Sequence, residues 1–299
     1  MSKLSLSVIN KSKRVHMNRK LKALLFLIGT YYLMILLGGT TTAQETTVYF
    51  NDFNSGAASL NGLTIVNESS SSSVGVVSGQ LSINPIGLPN SFVVANTASF
   101  AAPYSSILKN NPGTVTWAFN VSNQDGSLNN GFFFSLASSS IDPTVYTSSS
   151  YLLFGGAFVG NRMEFNGVGV GFPSVLLFEI PSSDGLGPLP SKGSFRITYE
   201  PSTDLWSVFG QVGSDYVDPT TVTKLLGSVV DSTYTSVPLS YMAWGGQDTG
   251  SDFFDNISVT VAPEPSALML VVLGLTAGAT LRLIKSGGGS AFRYTTRFS

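Results

Sequence analysis

Residues 44–262 hold 16 carboxylates, three tryptophans and five cations (Lys109, Arg162, Lys192, Arg196 and Lys224), but no cysteine and no histidine. The one histidine of the chain is His16, upstream of this stretch. Without imidazole or thiolate there is no Ser-His-Asp or Cys-His nucleophile. A zinc or copper site of the usual ligand types is excluded for the same reason, as is a disulfide framework. Two chemistries survive: glycosidic hydrolysis by a carboxylate pair and oxygen ligation of calcium. The tryptophans add a third possibility, a flat ring stacked on the apolar face of a pyranose.

Trp117 and Trp206 sit in alternating apolar segments, which favours the core. Trp244 precedes Gly245-Gly246-Gln247-Asp248, a polar turn signal. Trp244 and Gln247 are therefore the candidate carbohydrate-binding residues. Asp248, Thr249 and Asp252 read as a solvated acidic loop. Glu164, Glu179 and Glu200 are isolated in sequence, so no catalytic carboxylate pair is evident and a non-catalytic protein is expected.

The full chain has a formal charge of −1, but this balance hides a division. Five cations against 16 carboxylates leave residues 44–262 at −11, because most cations lie near the two ends. Such a surface repels nucleic acid and anionic lipid. It suits neutral glycans, or acidic ones bridged by cations.

The elements that must position these residues are strands. Thr114-Val115-Thr116-Trp117-Ala118-Phe119-Asn120-Val121 alternates strictly, the two-residue period of extended chain. Further short segments are predicted over 47–50, 63–66, 74–77, 80–83, 91–95, 132–136, 151–158, 163–170, 175–180 and 253–261. One or two more fall in 234–244. The clearest hairpin joins 194–199 to 205–209 through Glu200-Pro201-Ser202-Thr203-Asp204, where Pro201 favours a type I turn. Phe195, Ile197 and Tyr199 share one face, and Trp206 and Val208 share another. Phe132-Phe133-Phe134 must place rings on both faces. Residues 219–230 read either as a helix or as a loop and strand. About a dozen short strands, rich in Gly, Ser and Asn, indicate a β-sandwich. About 220 residues suffice for one core.

Both ends read as addresses. Lys3, Lys11, Lys13, Arg14, Arg19, Lys20 and Lys22 precede an apolar run over 23–37, and small residues lead to Ala43. This is a signal peptide over 1–43, with cleavage after Ala43 and Met1 or Met17 as its start. At the other end Pro263-Glu264-Pro265 precedes an apolar run over 266–284 that carries only Arg282 as a charge, followed by Lys285. Roughly 19 residues at 1.5 Å each span about 28 Å, the thickness of a bilayer core. Arg282 and Lys285 would hold that end on the cytoplasmic side. Residues 286–299 form a Gly/Ser-rich, basic tail.

Pro263, Glu264 and Pro265, with the apolar run and Arg282 and Lys285, resemble the PEP-CTERM sorting signal of exopolysaccharide-producing Gram-negative bacteria. That resemblance implies processing by a signal peptidase and by an exosortase-type enzyme. It also implies transient anchoring in the inner membrane and delivery to the cell surface or extracellular matrix. The middle section carries its own resemblance. Tyr49-Phe50-Asn51-Asp52-Phe53, the 198–203 hairpin leading to Trp206, and Phe254-Asp255-Asn256-Ile257-Ser258-Val259 are similar to concanavalin A-like or LamG-like jelly rolls. In that fold the first and last strands pair, which would bring Asp52 and Asp255 together. With Asn51 or Asn256 nearby they would suit a structural calcium, or each would cap its own turn. Glycosidases of the fold carry an E-x-D-x-x-E cluster that this chain lacks. The expected function is that of an exported, surface- or matrix-associated, non-catalytic all-β antiparallel sandwich protein. The alternative is a carbohydrate-binding module for exopolysaccharide.

Overall fold

Alternation in residues 115–121 places Val115, Trp117, Phe119 and Val121 on one side of the chain. In the computed structural model all four are buried in the main apolar cluster. The structure describes residues 44–67, 72–84, 91–124, 132–143, 148–155, 162–168, 175–181, 191–246 and 250–262. These belong to one compact unit, Ala43–Glu264. The expected signal peptide, sorting signal and basic tail lie outside the described residues. Among the described residues, no helix is long and apolar enough to cross a membrane.

The chain opens with β1 (Thr46–Asn51), β2 (Leu63–Asn67), β3 (Ser73–Val77), β4 (Gln80–Asn84) and β5 (Ser91–Asn96). β6 (Val115–Asn123), β7 (Phe132–Ser138), β8 (Ser150–Gly155), β9 (Arg162–Val168) and β10 (Val175–Pro181) follow. β11 (Lys192–Glu200), β12 (Leu205–Gly213), β13 (Leu225–Val230), β14 (Tyr241–Gly246) and β15 (Asp252–Val261) complete the described set. They build an antiparallel jelly-roll sandwich of two sheets. The eight-stranded sheet runs β13-β12-β11-β6-β15-β4-β3, with β1 also on β15. The seven-stranded sheet runs β10-β9-β8-β7-β14-β5-β2.

β15 organises the larger sheet. One edge pairs with β6 from Asp252↔Asn123 to Val261↔Val115. Its other edge is divided between β4, over Asp252 to Phe254, and β1, from Asn51↔Ile257 to Thr46↔Val261. Between the two partners the register shifts from Asp255 to Ser258. Asn256 there has φ of 50°, a left-handed conformation that asparagine tolerates better than most residues. The break is a bulge that bends the strand and re-aims its side chains.

The two sheets meet through aromatic rings. Phe119 of β6 stacks on Phe134 of β7 at 4.2 Å between centroids. Trp206 of β12 contacts Tyr151 of β8 at 4.3 Å and Phe165 of β9 at 5.3 Å. Each fully buried ring contributes on the order of 2–3 kcal/mol, and well-placed pairs add roughly 1 kcal/mol more. The β11–β12 hairpin explains why so many rings converge. Its register pairs Tyr199 with Trp206 and Ile197 with Val208. The two apolar sets, separate in the sequence reading, thus share the inner face. Asp204 closes the turn in a left-handed conformation (φ 54°). It accepts hydrogen bonds from Tyr199 Oη at 2.7 Å and Thr235 Oγ1 at 3.2 Å, and pairs with Lys109.

Residues 219–230 resolve as a single 3-10 turn, Pro219–Thr221, followed by β13. No amphipathic helix forms there, because Pro219 starts the turn and Val222 already returns to extended backbone. Residues 233–236 are a turn, so 234–244 supplies only β14. Phe132 and Phe134 face the main core, while Phe133 joins Phe92, Val94 and Ala243 in a smaller cluster on the other face of their sheet.

Candidate functional site

The outward face of the eight-stranded sheet carries polar side chains where its inward face carries rings. Asn120 of β6 and Ser258 and Thr260 of β15 alternate with Phe119, Val121, Ile257, Val259 and Val261 of the core. Residues 214–224, between β12 and β13, fold across this face and wall it in. That segment is held by local bonds. Asp218 Oδ1 accepts from Thr220 N at 2.9 Å and from Thr220 Oγ1 at 2.7 Å. Val217 N donates to Ser194 Oγ, and Ser194 Oγ donates to Val217 O, each at 3.1 Å. Arg196 Nε donates to Val222 O at 2.8 Å. Pro219 is buried beneath the segment.

The result is a groove of about 520 Å³, within the range of small-molecule sites. Phe50, Thr47, Asn256, Tyr216, Asp218 and Asn120 are among its walls. Phe50 is 58% exposed. Tyr216 is held in place by Gln80, whose Nε2 donates to Tyr216 Oη at 3.3 Å. Asn120 is only 1% exposed, and its Oδ1 accepts no hydrogen bond. A buried amide oxygen without a donor costs roughly 1–3 kcal/mol.

Asp52 and Asp255 flank the same region. Asp52 follows β1, whose last residue Asn51 pairs with Ile257, and Asp255 lies at the β15 bulge. Both Asp52 oxygens are engaged by Asn54: N donates to Oδ1 at 3.1 Å and Nδ2 to Oδ2 at 2.9 Å. These bonds hold the Asp52 carboxyl below its ordinary range. Burial raises the Asp255 carboxyl, and the charge of Asp52 raises it further, against the Asn256 amide that donates to its Oδ1 at 2.7 Å. The two carboxylates therefore sense each other, while each also binds its own turn. Among the described residues, no three Asp, Glu, His or Cys side chains gather in a way that could hold a metal.

Three expectations are corrected. Trp244 is fully buried (0% exposed), stacked on Phe134 at 5.9 Å and beside Tyr49 at 6.2 Å. β14 is an interior strand between β5 and β7, so its inward ring cannot act as an exposed sugar platform. Gln247, Asp248 and Thr249 lie outside the described residues. Asp252 belongs to β15 rather than to a solvated loop; it is buried and accepts from Asn123 Nδ2 at 2.9 Å. Glu164 and Glu179, isolated in sequence, are cross-strand partners on β9 and β10.

The groove residues Phe50, Asn120 and Tyr216 escaped the sequence reading as site residues, and Asn256 entered it only as a possible neighbour of a calcium ion. The available signal was parity: Asn120 and Ser258 interrupt apolar alternation on the outward side. Nothing local says that residues 214–224 lie over them.

No protein-family model matches this chain. A search of curated proteins likewise finds no match. Among solved structures the chain is similar to the CBM2 module of the evolved Dit of Lactobacillus casei BL23 phage J-1, at 15% identity and a TM-score of 0.48, over 74% of this chain and 98% of that one. It is similar in the same degree, at 15% identity and a TM-score of 0.48, to arcelin-5, a lectin-like defense protein from Phaseolus vulgaris, over 73% and 98%. A lectin from Bauhinia forficata in complex with GalNAc aligns at 10% identity and a TM-score of 0.43, over 74% and 100%. The fold assignment rests on the strand order given above.

Proposed function

We propose that this chain is an exported, surface- or matrix-associated, non-catalytic β-sandwich protein that holds a glycan in the groove between Phe50 and Tyr216. The observation that carries this reading is the groove of about 520 Å³ itself, bordered by two aromatic side chains, Phe50 and Tyr216, and lined by the carboxamides of Asn120 and Asn256. An aromatic face packs on the ring C–H groups of a sugar while the polar walls bond its hydroxyls. Of the other walls, Thr47, Thr220, Ser258 and Thr260 are neutral hydrogen-bonding groups, and Val217 and Pro219 are apolar. The one carboxylate among the groove walls, Asp218, is occupied in capping Thr220, which supports binding without hydrolysis. Export is supported by the basic and apolar segments before Ala43. Sorting to the surface or matrix is supported by Pro263, Glu264, Pro265, Arg282 and Lys285.

A glycan array probed with the purified chain tests the binding. Bound glycans should lose affinity about tenfold with F50A, the effect of one stacking contact, and should not be cleaved. Equal binding by F50A, or release of reducing ends, would contradict the reading. Sorting is tested separately. E264A with P265A should leave export intact but retain the chain in the inner membrane.

A further inference from the structure

The groove continues past Thr220, Ser258 and Thr260. These three residues also line a recess of about 50 Å³ that adds Glu45, Thr116, Ala118 and Arg196. Arg196 is the one cation lining either compartment. Its guanidinium carbon sits 4.1 Å from the centre of the Phe209 ring, and its Nε is committed to Val222 O at 2.8 Å. Two contacts thus fix the guanidinium and leave its terminal nitrogens free. Among the described residues, no carboxylate lies within ion-pair distance of it. Glu45 is in the same recess, accepts from the Thr260 hydroxyl and acts on Arg196 through its charge. With no ion pair among the described residues, Arg196 is a positive group in a domain with 16 carboxylates and five cations.

We propose that Arg196 receives the carboxylate of an acidic sugar. The groove would then bind a uronate-containing glycan, with one sugar ring at the Phe50–Tyr216 end and the carboxylate of another at the Arg196 end. This rests on the glycan-binding reading above and names its ligand class. A planar guanidinium with two free donors matches a carboxylate, and the match is geometric as well as electrostatic. The recess admits a small polar group: it exceeds the roughly 10–15 Å³ that one water needs and is about a tenth of the main groove. The hydroxyls of Thr116 and Ser258 line it and can donate to the same anion, while that of Thr260 donates to Glu45. Glu45 opposes the anion, so the site discriminates by fit against a general background of repulsion.

The test is a calorimetric titration of the full chain in detergent micelles. The probes are a panel of uronate oligosaccharides and the same oligosaccharides after reduction of their carboxyls to alcohols. The wild-type chain should bind the acidic form about tenfold more tightly, the effect of one charge-assisted hydrogen-bond pair. R196M should bind both forms alike, at the wild-type affinity for the reduced form. E45Q should tighten the acidic form about twofold and leave the reduced form unchanged. Equal wild-type affinity for the two forms overturns the proposal, as does a preference that survives in R196M. If R196M fails to fold, E45Q decides: unchanged affinity for the acidic form overturns it. Binding of the reduced form alone overturns this inference and leaves the groove reading standing. Binding of neither form by the wild-type chain overturns this inference, and the glycan array then decides the groove reading.

Discussion

Replacing Asn120 by leucine should stabilise the protein and weaken its binding. The side chain is 1% exposed, and its Oδ1 has no hydrogen-bond donor. Leaving a buried acceptor unpaired costs about 1–3 kcal/mol. Leucine has a similar volume, carries no acceptor and fits an extended strand better. Allowing for imperfect packing against the polar outward face, about 1 kcal/mol should be recovered. For a domain of this size that raises the melting temperature by about 2–4 °C. The same change removes a carboxamide from the groove lining, which should weaken binding by about threefold to tenfold. Differential scanning calorimetry without ligand and titration calorimetry with it measure the two effects. A lower melting temperature in N120L would show that the carboxamide stabilises the fold. Unchanged binding would remove Asn120 from the site.

Other perturbations test the sandwich and the turns beside the groove. G245A should lower the melting temperature by at least about 3 °C. A methyl there would meet Ser91 O at 2.5 Å, Phe92 Cβ at 2.6 Å and Phe133 Cε1 at 2.8 Å; unchanged melting would mean that these strands part easily. D255N should raise the melting temperature at pH 7. The folded-state affinity of Asp255 for its proton is raised, chiefly by burial. Its contribution is therefore present below the ordinary carboxylate pKa and is lost as pH rises through the raised value. The gain in D255N should vanish near pH 3, where the wild-type carboxyl is protonated in both states; a gain independent of pH would contradict this. Were calcium to bridge Asp52 and Asp255, as the sequence reading allows, it would relieve their repulsion and add roughly 2.7 kcal/mol at about 100 times Kd. The chain should melt lower in chelator and D52N with D255N should not respond; an unchanged wild-type melting temperature would leave the two as turn caps.

The strands were legible because their period is local. Val115, Trp117, Phe119 and Val121 announce an inward face, and Pro201 with Asp204 announces the hairpin turn. The pairing of β1 with β15 came from the resemblance of their motifs to a known fold. Trp244 misled because Gly245 and Gly246 suggest an exposed turn. In the sheet Gly245 is a place where neighbouring side chains come too close for any Cβ. The groove was not legible. Its walls come from β1, β6, β15 and residues 214–224, brought together by register across more than 200 positions of sequence. Parity identifies an outward residue but not what lies above it.

The central claim is that the outward face of the eight-stranded sheet is the binding surface. Chemical-shift mapping of the isotope-labelled chain, titrated with an oligosaccharide selected on the array, tests it directly. The account predicts that the largest shifts fall on the Asn120 side-chain amide and on the backbone amides of Phe50, Tyr216 and Asn256. Shifts confined to the seven-stranded sheet, or spread evenly over the sandwich, would contradict it.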